Sequence, residues 1–100
     1  MTERLHVLPE AEAEALATAE WYEIRRPGLG VEFMLEADEA IERIRRSPEA
    51  YPLWRRGHPY RKLAMRRFPF IVFFHLPGGT AEVVAFAHAK RKPGYWLSRL

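Results

Sequence analysis

Hydrophobic and polar positions change their period twice along the 100 residues of this chain. Leu5 and Val7 alternate around His6 and stop at Pro9, the pattern of a short strand or extended arm. From residue 10 to about residue 25 strong helix formers dominate. Ala13, Leu16, Ala17, Trp21 and Ile24 recur there at three- and four-residue spacings, which predicts one helix with a single apolar stripe. Pro9 suits the first helical position, Glu10, Glu12 and Glu14 sit near the positive end of the macrodipole, and Arg25 and Arg26 near its negative end. Pro27-Gly28-Leu29-Gly30 interrupts this pattern. A second stripe of Phe33, Met34, Ala37, Ala40, Ile41 and Ile44 then predicts a second helix, ended at Ser47-Pro48 because a residue before proline is pushed out of the helical region. So short a link implies an antiparallel helical hairpin.

After a loop over residues 49–59 the strand signal takes over. Residues 60–68, 70–76 and 81–90 read as three strands, the second carrying Phe70, Ile71, Val72, Phe73 and Phe74 and the third Val83, Val84 and Phe86. Pro77-Gly78-Gly79-Thr80 supplies a compact turn, and Pro93-Gly94 takes the tail off the sheet as a loop or short turn. The order is strand, helix, helix, three strands. This is an α+β layout in one domain spanning residues 1–100, with the helical hairpin covering one face of a small antiparallel sheet, since neither layer buries its apolar face alone. The opposite face is then where a ligand could lie.

Charge sharpens that picture. The formal net charge is +3, but residues 1–50 hold six Lys/Arg against twelve Asp/Glu, and residues 51–100 hold ten against the single acid Glu82. The second half is therefore a candidate surface for a polyanion. The chain has no cysteine, which excludes disulfides, thiolate zinc sites and thiol catalysis, and His6, His58, His75 and His88 lie at no metal-ligand spacing. No cofactor is expected. Residues 1–8 carry no signal-peptide run and the longest apolar stretch, 68–74, is far below the ~20 residues of a membrane span, so a cytoplasmic protein with no membrane contact is expected.

Two groups could carry chemistry. Arg55, Arg56, Arg61, Lys62, Arg66, Arg67, Lys90, Arg91, Lys92 and Arg99 are interleaved with Trp54, His58, Tyr60, His88, Tyr95 and Trp96. Cations neutralise phosphates and planar rings stack on unpaired bases, a mixture suited to single-stranded RNA; the same residues also describe a solvated basic surface with aromatic packing. Within this set His88, Arg91, Tyr95 and Trp96 are the sharpest cluster. A histidine at a strand end, a cation and a phenol could supply the acid/base, charge-stabilising and donor roles of metal-free RNA cleavage. Equally, His88 could be a hydrogen-bonded strand residue, with Tyr95 and Trp96 closing the core.

Trp21-Tyr22-Glu23, Pro27-Gly28-Leu29-Gly30 with Phe33, Ile44, Ser47-Pro48-Glu49-Ala50-Tyr51-Pro52, Arg66-Arg67-Phe68-Pro69-Phe70 and Ala87-His88 with Arg91, Pro93, Tyr95 and Trp96 together carry a resemblance. In order and spacing, over essentially the whole chain, they resemble the RelE/ParE superfamily of toxins from type II toxin-antitoxin systems, in the branch called plasmid stabilisation proteins. The resemblance implies the small RelE/ParE-like fold and a cognate antitoxin, with operator DNA reached only through the antitoxin complex. RelE-like members cleave mRNA on the ribosome without metal and so inhibit translation, whereas ParE-like members poison DNA gyrase. By that likeness His88, Arg91 and Tyr95 are the expected catalytic set of a ribosome-dependent endoribonuclease. Arg61, Lys62, Arg66, Arg67, Lys90, Lys92 and Trp96 are its expected RNA or phosphate contacts. Leu63 and Ile71 stand where the nucleases carry lysine and arginine, which points instead to a gyrase poison without nuclease activity; a degenerate toxin that binds only its antitoxin is a third expectation.

Overall fold

The computed structural model describes residues 4–100. Its elements are β1 (Leu5–Val7), α1 (Pro9–Arg25), α2 (Leu29–Arg46), β2 (Arg61–Ala64), β3 (Phe70–His75) and β4 (Ala81–His88), with 3-10 turns at Pro48–Ala50, Pro77–Gly79 and Tyr95–Arg99. The strands form one sheet in the order β1-β4-β3-β2. The last three are antiparallel, but β1 pairs parallel with β4. The sheet is therefore mixed rather than wholly antiparallel. The α-helical hairpin between β1 and the remaining strands makes this possible, because parallel neighbours need a long crossover connection.

Gly28, at φ +91°, provides the left-handed residue that turns the chain from α1 into α2, so Leu29 and Gly30 open the second helix instead of belonging to the interruption. The α2 stripe is where its periodicity puts it: Phe33, Ala37, Ala40 and Ile44 are buried, with Met34 and Ile41 packed at the margin. The α1 stripe is not. The helix buries Ala11 and Ala15 and packs Ala19 and Tyr22 beside them, while Leu16, Trp21 and Ile24 remain 54%, 52% and 77% exposed. Small side chains win because the two helices approach very closely. A Cβ placed on Gly30 would stand 2.4 Å from the Ala19 carbonyl oxygen.

β2 is shorter than its sequence pattern. It ends at Ala64 because both carboxylate oxygens of Glu36 on α2 draw the backbone N–H groups of Arg66 and Arg67 out of the ladder, and Pro69 has no N–H to offer. In β4 the pairing Phe73 with Ala85 and Phe74 with Val83 leaves one extra residue, a β-bulge. Val84 and Ala85 consequently both join the cluster on the sheet face away from the helices, while Val83 and Phe86 face the helices.

That far face is not open. Trp96, 1% exposed, is stacked on Phe73 at 4.8 Å and edge-packed on Tyr60 and Trp54, so the tail closes a second, aromatic core. Each such pair adds about 0.5–1.5 kcal/mol beyond the area it buries.

Candidate functional site

Beside Trp96 lies a cleft of about 130 Å³ with a floor of Trp54, Ile71, Phe73 and Ala87. Its rim carries Lys62 from β2, His88 from the end of β4, and Arg91, Lys92 and Tyr95 from the tail. No carboxylate lines it. Six of the residues expected from sequence thus converge: Lys62, His88, Arg91, Lys92, Tyr95 and Trp96. Trp96, however, is spent on the core, and its ring has no free face for a base.

The strand register separates the others. Lys62 stands opposite Phe73 and shares its face, whereas Arg61 stands opposite Phe74 on the helix side, where its guanidinium donates to the Tyr51 carbonyl at 2.7 Å. Arg61 braces the loop before β2 instead of meeting the cleft. Arg66 and Arg67 follow β2 on the α2 side, with Arg66 3.6 Å from Glu39 and Arg67 2.6 Å from Glu32. These pairings put them over an acidic depression formed with Glu36. The Arg67 guanidinium holds the Glu32 carboxyl below its ordinary value. The basic half is therefore divided between surfaces and is not one continuous patch.

His88 stands opposite Phe70, edge-on at 5.2 Å, so the imidazole leans to the helix side and also borders a cavity with Thr18, Trp21 and Tyr22. Its Nδ1 accepts the backbone N–H of Lys90 at 3.1 Å; the Lys90 residue itself is exposed.

Glu14 is the residue sequence reasoning missed as a site component. From the interior face of α1, three residues beyond the buried Ala11, its carboxylate accepts from Arg99 at 2.8 and 2.9 Å, from the Phe86 backbone N–H at 3.1 Å and from the Tyr95 hydroxyl. The exposed Arg91 guanidinium stands 3.4 Å away and 3.6 Å above the Tyr95 ring. Burial, and then the bond to Glu14, push the Tyr95 phenol well above its ordinary value. Arg99 also donates to the Val84 carbonyl at 3.0 Å. β1 stops opposite Val83, so Glu14 and Arg99 satisfy the β4 backbone groups that a longer β1 would have taken. The only sequence signal for Glu14 was its spacing from Ala11 and Ala15, legible once the alanine stripe is chosen.

Among the described residues no group of three His, Asp or Glu side chains could hold a metal ion, and no helix is long and apolar enough to cross a membrane. Neither a scan of protein-family models nor a search of curated proteins returns a match. Among solved structures, a chain of one described as the chromosomal ParDE TA system from P. aeruginosa superposes with a TM-score of 0.76 at 16% identity, covering 85% of this chain and 94% of that one. The two chains share a fold. At that identity the likeness extends to the arrangement of the strands and the helical hairpin, which is the ParE-like α+β architecture.

Proposed function

We propose that this protein is the toxin of a type II toxin-antitoxin module, and that it acts as ParE-type toxins do, by binding its target rather than by cleaving RNA. The fold likeness to a chain of a ParDE system and the residue pattern from Trp21 to Trp96 support the module. The mode of action rests on one observation: both acid/base candidates are already committed. With Nδ1 accepting from Lys90, the proton of a neutral His88 imidazole sits on Nε2, which then donates and cannot take a 2′-hydroxyl proton. The Tyr95 hydroxyl is engaged by Glu14 and held far from a value useful for proton transfer. The partners are a cognate antitoxin and, as the ParE kinship suggests, DNA gyrase, with operator DNA met through the antitoxin complex.

The cationic cleft favours a second reading. Lys62, Arg91 and Lys92 around an apolar floor suit a phosphate with an adjacent base, as a ribosome-dependent endoribonuclease would need. Expression in a bacterial host, followed by assays of gyrase-dependent DNA breakage and of translation-coupled mRNA cleavage, separates the two. The expected result is growth arrest with accumulating DNA breaks and intact mRNA, retained in His88→Ala. Cleaved mRNA that disappears in His88→Ala overturns the binding mechanism, and absence of any arrest overturns the toxin assignment.

A further inference from the structure

The outer surface of the helical hairpin carries a second feature, independent of the cleft. Ala19, Gly30 and Met34 form the floor of a 390 Å³ groove where α1 and α2 touch, walled by Val31 and Leu35. Val31 and Leu35, one helical turn apart and 61% and 64% exposed, form with the groove floor one contiguous apolar strip. Every charged residue on the groove is acidic: Glu20, Glu23 and Asp38. Glu23 is partly used, since its carboxylate accepts the N–H groups of Gly28 and Gly30 at the start of α2. Among the described residues no cation stands within ion-pair distance of Glu20 or Asp38, although Arg25 and Arg26 are close in sequence.

Apolar walls with unpaired carboxylates at the rim define the complement. The geometry points to a docking groove for a basic amphipathic helix of a partner protein. Such a helix would lay two apolar side chains, one turn apart, between Val31 and Leu35 and direct flanking Lys or Arg side chains to Glu20 and Asp38. A second copy of this chain's hairpin does not fit, because it would oppose like charges. The acidic half of the chain thereby acquires a ligand chemistry of its own, opposite in sign to that of the cleft. Apolar contact gives the affinity, and the carboxylates set partner sign and association rate.

The test uses the full chain and a phage library of helical peptides with one randomised face. The retained sequences are expected to pair apolar residues a turn apart with flanking Lys or Arg, and their binding should weaken as salt rises. Val31→Glu should weaken binding by about tenfold or more, with circular dichroism confirming that this exposed substitution leaves the fold intact. The double reversal Glu20→Lys with Asp38→Lys should select acidic flanks instead. Retained peptides that bind Val31→Glu as well as the parent, flanks whose sign ignores the reversal, or a failure to retain any peptide would each overturn the proposal.

Discussion

Replacing Glu14 by alanine removes the one carboxylate that joins α1, β4 and the tail. Its side chain is 14% exposed and that of Arg99 16%, so the pair sits between the exposed and buried regimes. Solvent-exposed ion pairs contribute about 0–1 kcal/mol in general, whereas stripping one partner from a buried pair costs about 3–5 kcal/mol. Glu14→Ala leaves the Arg99 guanidinium, the Phe86 N–H and the Tyr95 hydroxyl without their acceptor, while the 54% exposed Arg91 side chain adds little. Discounting for residual solvent access gives a loss of roughly 2–4 kcal/mol. At about 4–8 °C per kcal/mol for a domain of this size, the melting temperature should fall by roughly 10–30 °C. Urea unfolding followed by tryptophan fluorescence measures the loss, with Glu32→Ala as the exposed control. Repeating Glu14→Ala in an Arg99→Met background isolates the pair, and the added cost there should shrink by more than 1 kcal/mol, approximately the scale of coupled contacts. A Glu14→Ala loss no larger than that of Glu32→Ala, or one unchanged by Arg99→Met, refutes the view that this carboxylate locks the tail to the sheet.

Tyr95 and Gly30 carry the remaining expected outcomes. Tyr95 is raised by burial and by Glu14, so its absorbance should stay that of a neutral phenol where exposed tyrosines ionise, and Tyr95→Phe should remove the late phase of an alkaline titration. Because the folded value is raised, its contribution to stability is complete below about pH 10, the ordinary tyrosine value, and is lost as pH climbs through the folded one; Tyr95→Phe should flatten that alkaline decline. Gly30→Ala forces a methyl to within 2.4 Å of the Ala19 carbonyl oxygen and 2.9 Å of the Glu23 Cβ, which should cost about 1–3 kcal/mol or more in thermal unfolding, despite alanine's better helix propensity.

Much of this architecture is legible in the sequence because each element follows a local rule. Phe33, Ala37, Ala40 and Ile44 repeat with the helical period and are buried, and the aromatic run from Phe70 to Phe74 is a central strand. What escaped has a common physical origin: contacts between residues far apart in the chain. In α1 two stripes compete, and only the nearness of Gly30 to Ala19 decides for alanine over Leu16, Trp21 and Ile24. The parallel direction of β1 depends on where the hairpin returns the chain. Arg61, Arg66 and Arg67 look alike to a charge count, yet a carbonyl and α2 carboxylates absorb all three. His88, Arg91, Tyr95 and Trp96 were legible as a cluster because a strand end and a short tail keep them close in the chain, whereas the addition of Lys62 depends on the register of β2 on β3. Glu14 lies more than seventy residues from Phe86 and Tyr95, and no periodicity spans that interval.

The bulge in β4 makes the address of residue 88 a matter of counting. Side chains on a strand alternate between faces, so the extra residue at Val84 exchanges inside for outside over the rest of the strand. Pairing the same residues in a regular ladder would set Val84 opposite Phe73 and Ala87 opposite Phe70, and so send the imidazole across the sheet to the face of Ile71 and Lys62, whereas deleting Val84 would close the bulge and keep it opposite Phe70. A lineage could therefore pass between a histidine that serves the helical layer and one that serves the cationic cleft by losing the bulge at constant length, and a comparison of related chains residue by residue would register no gap.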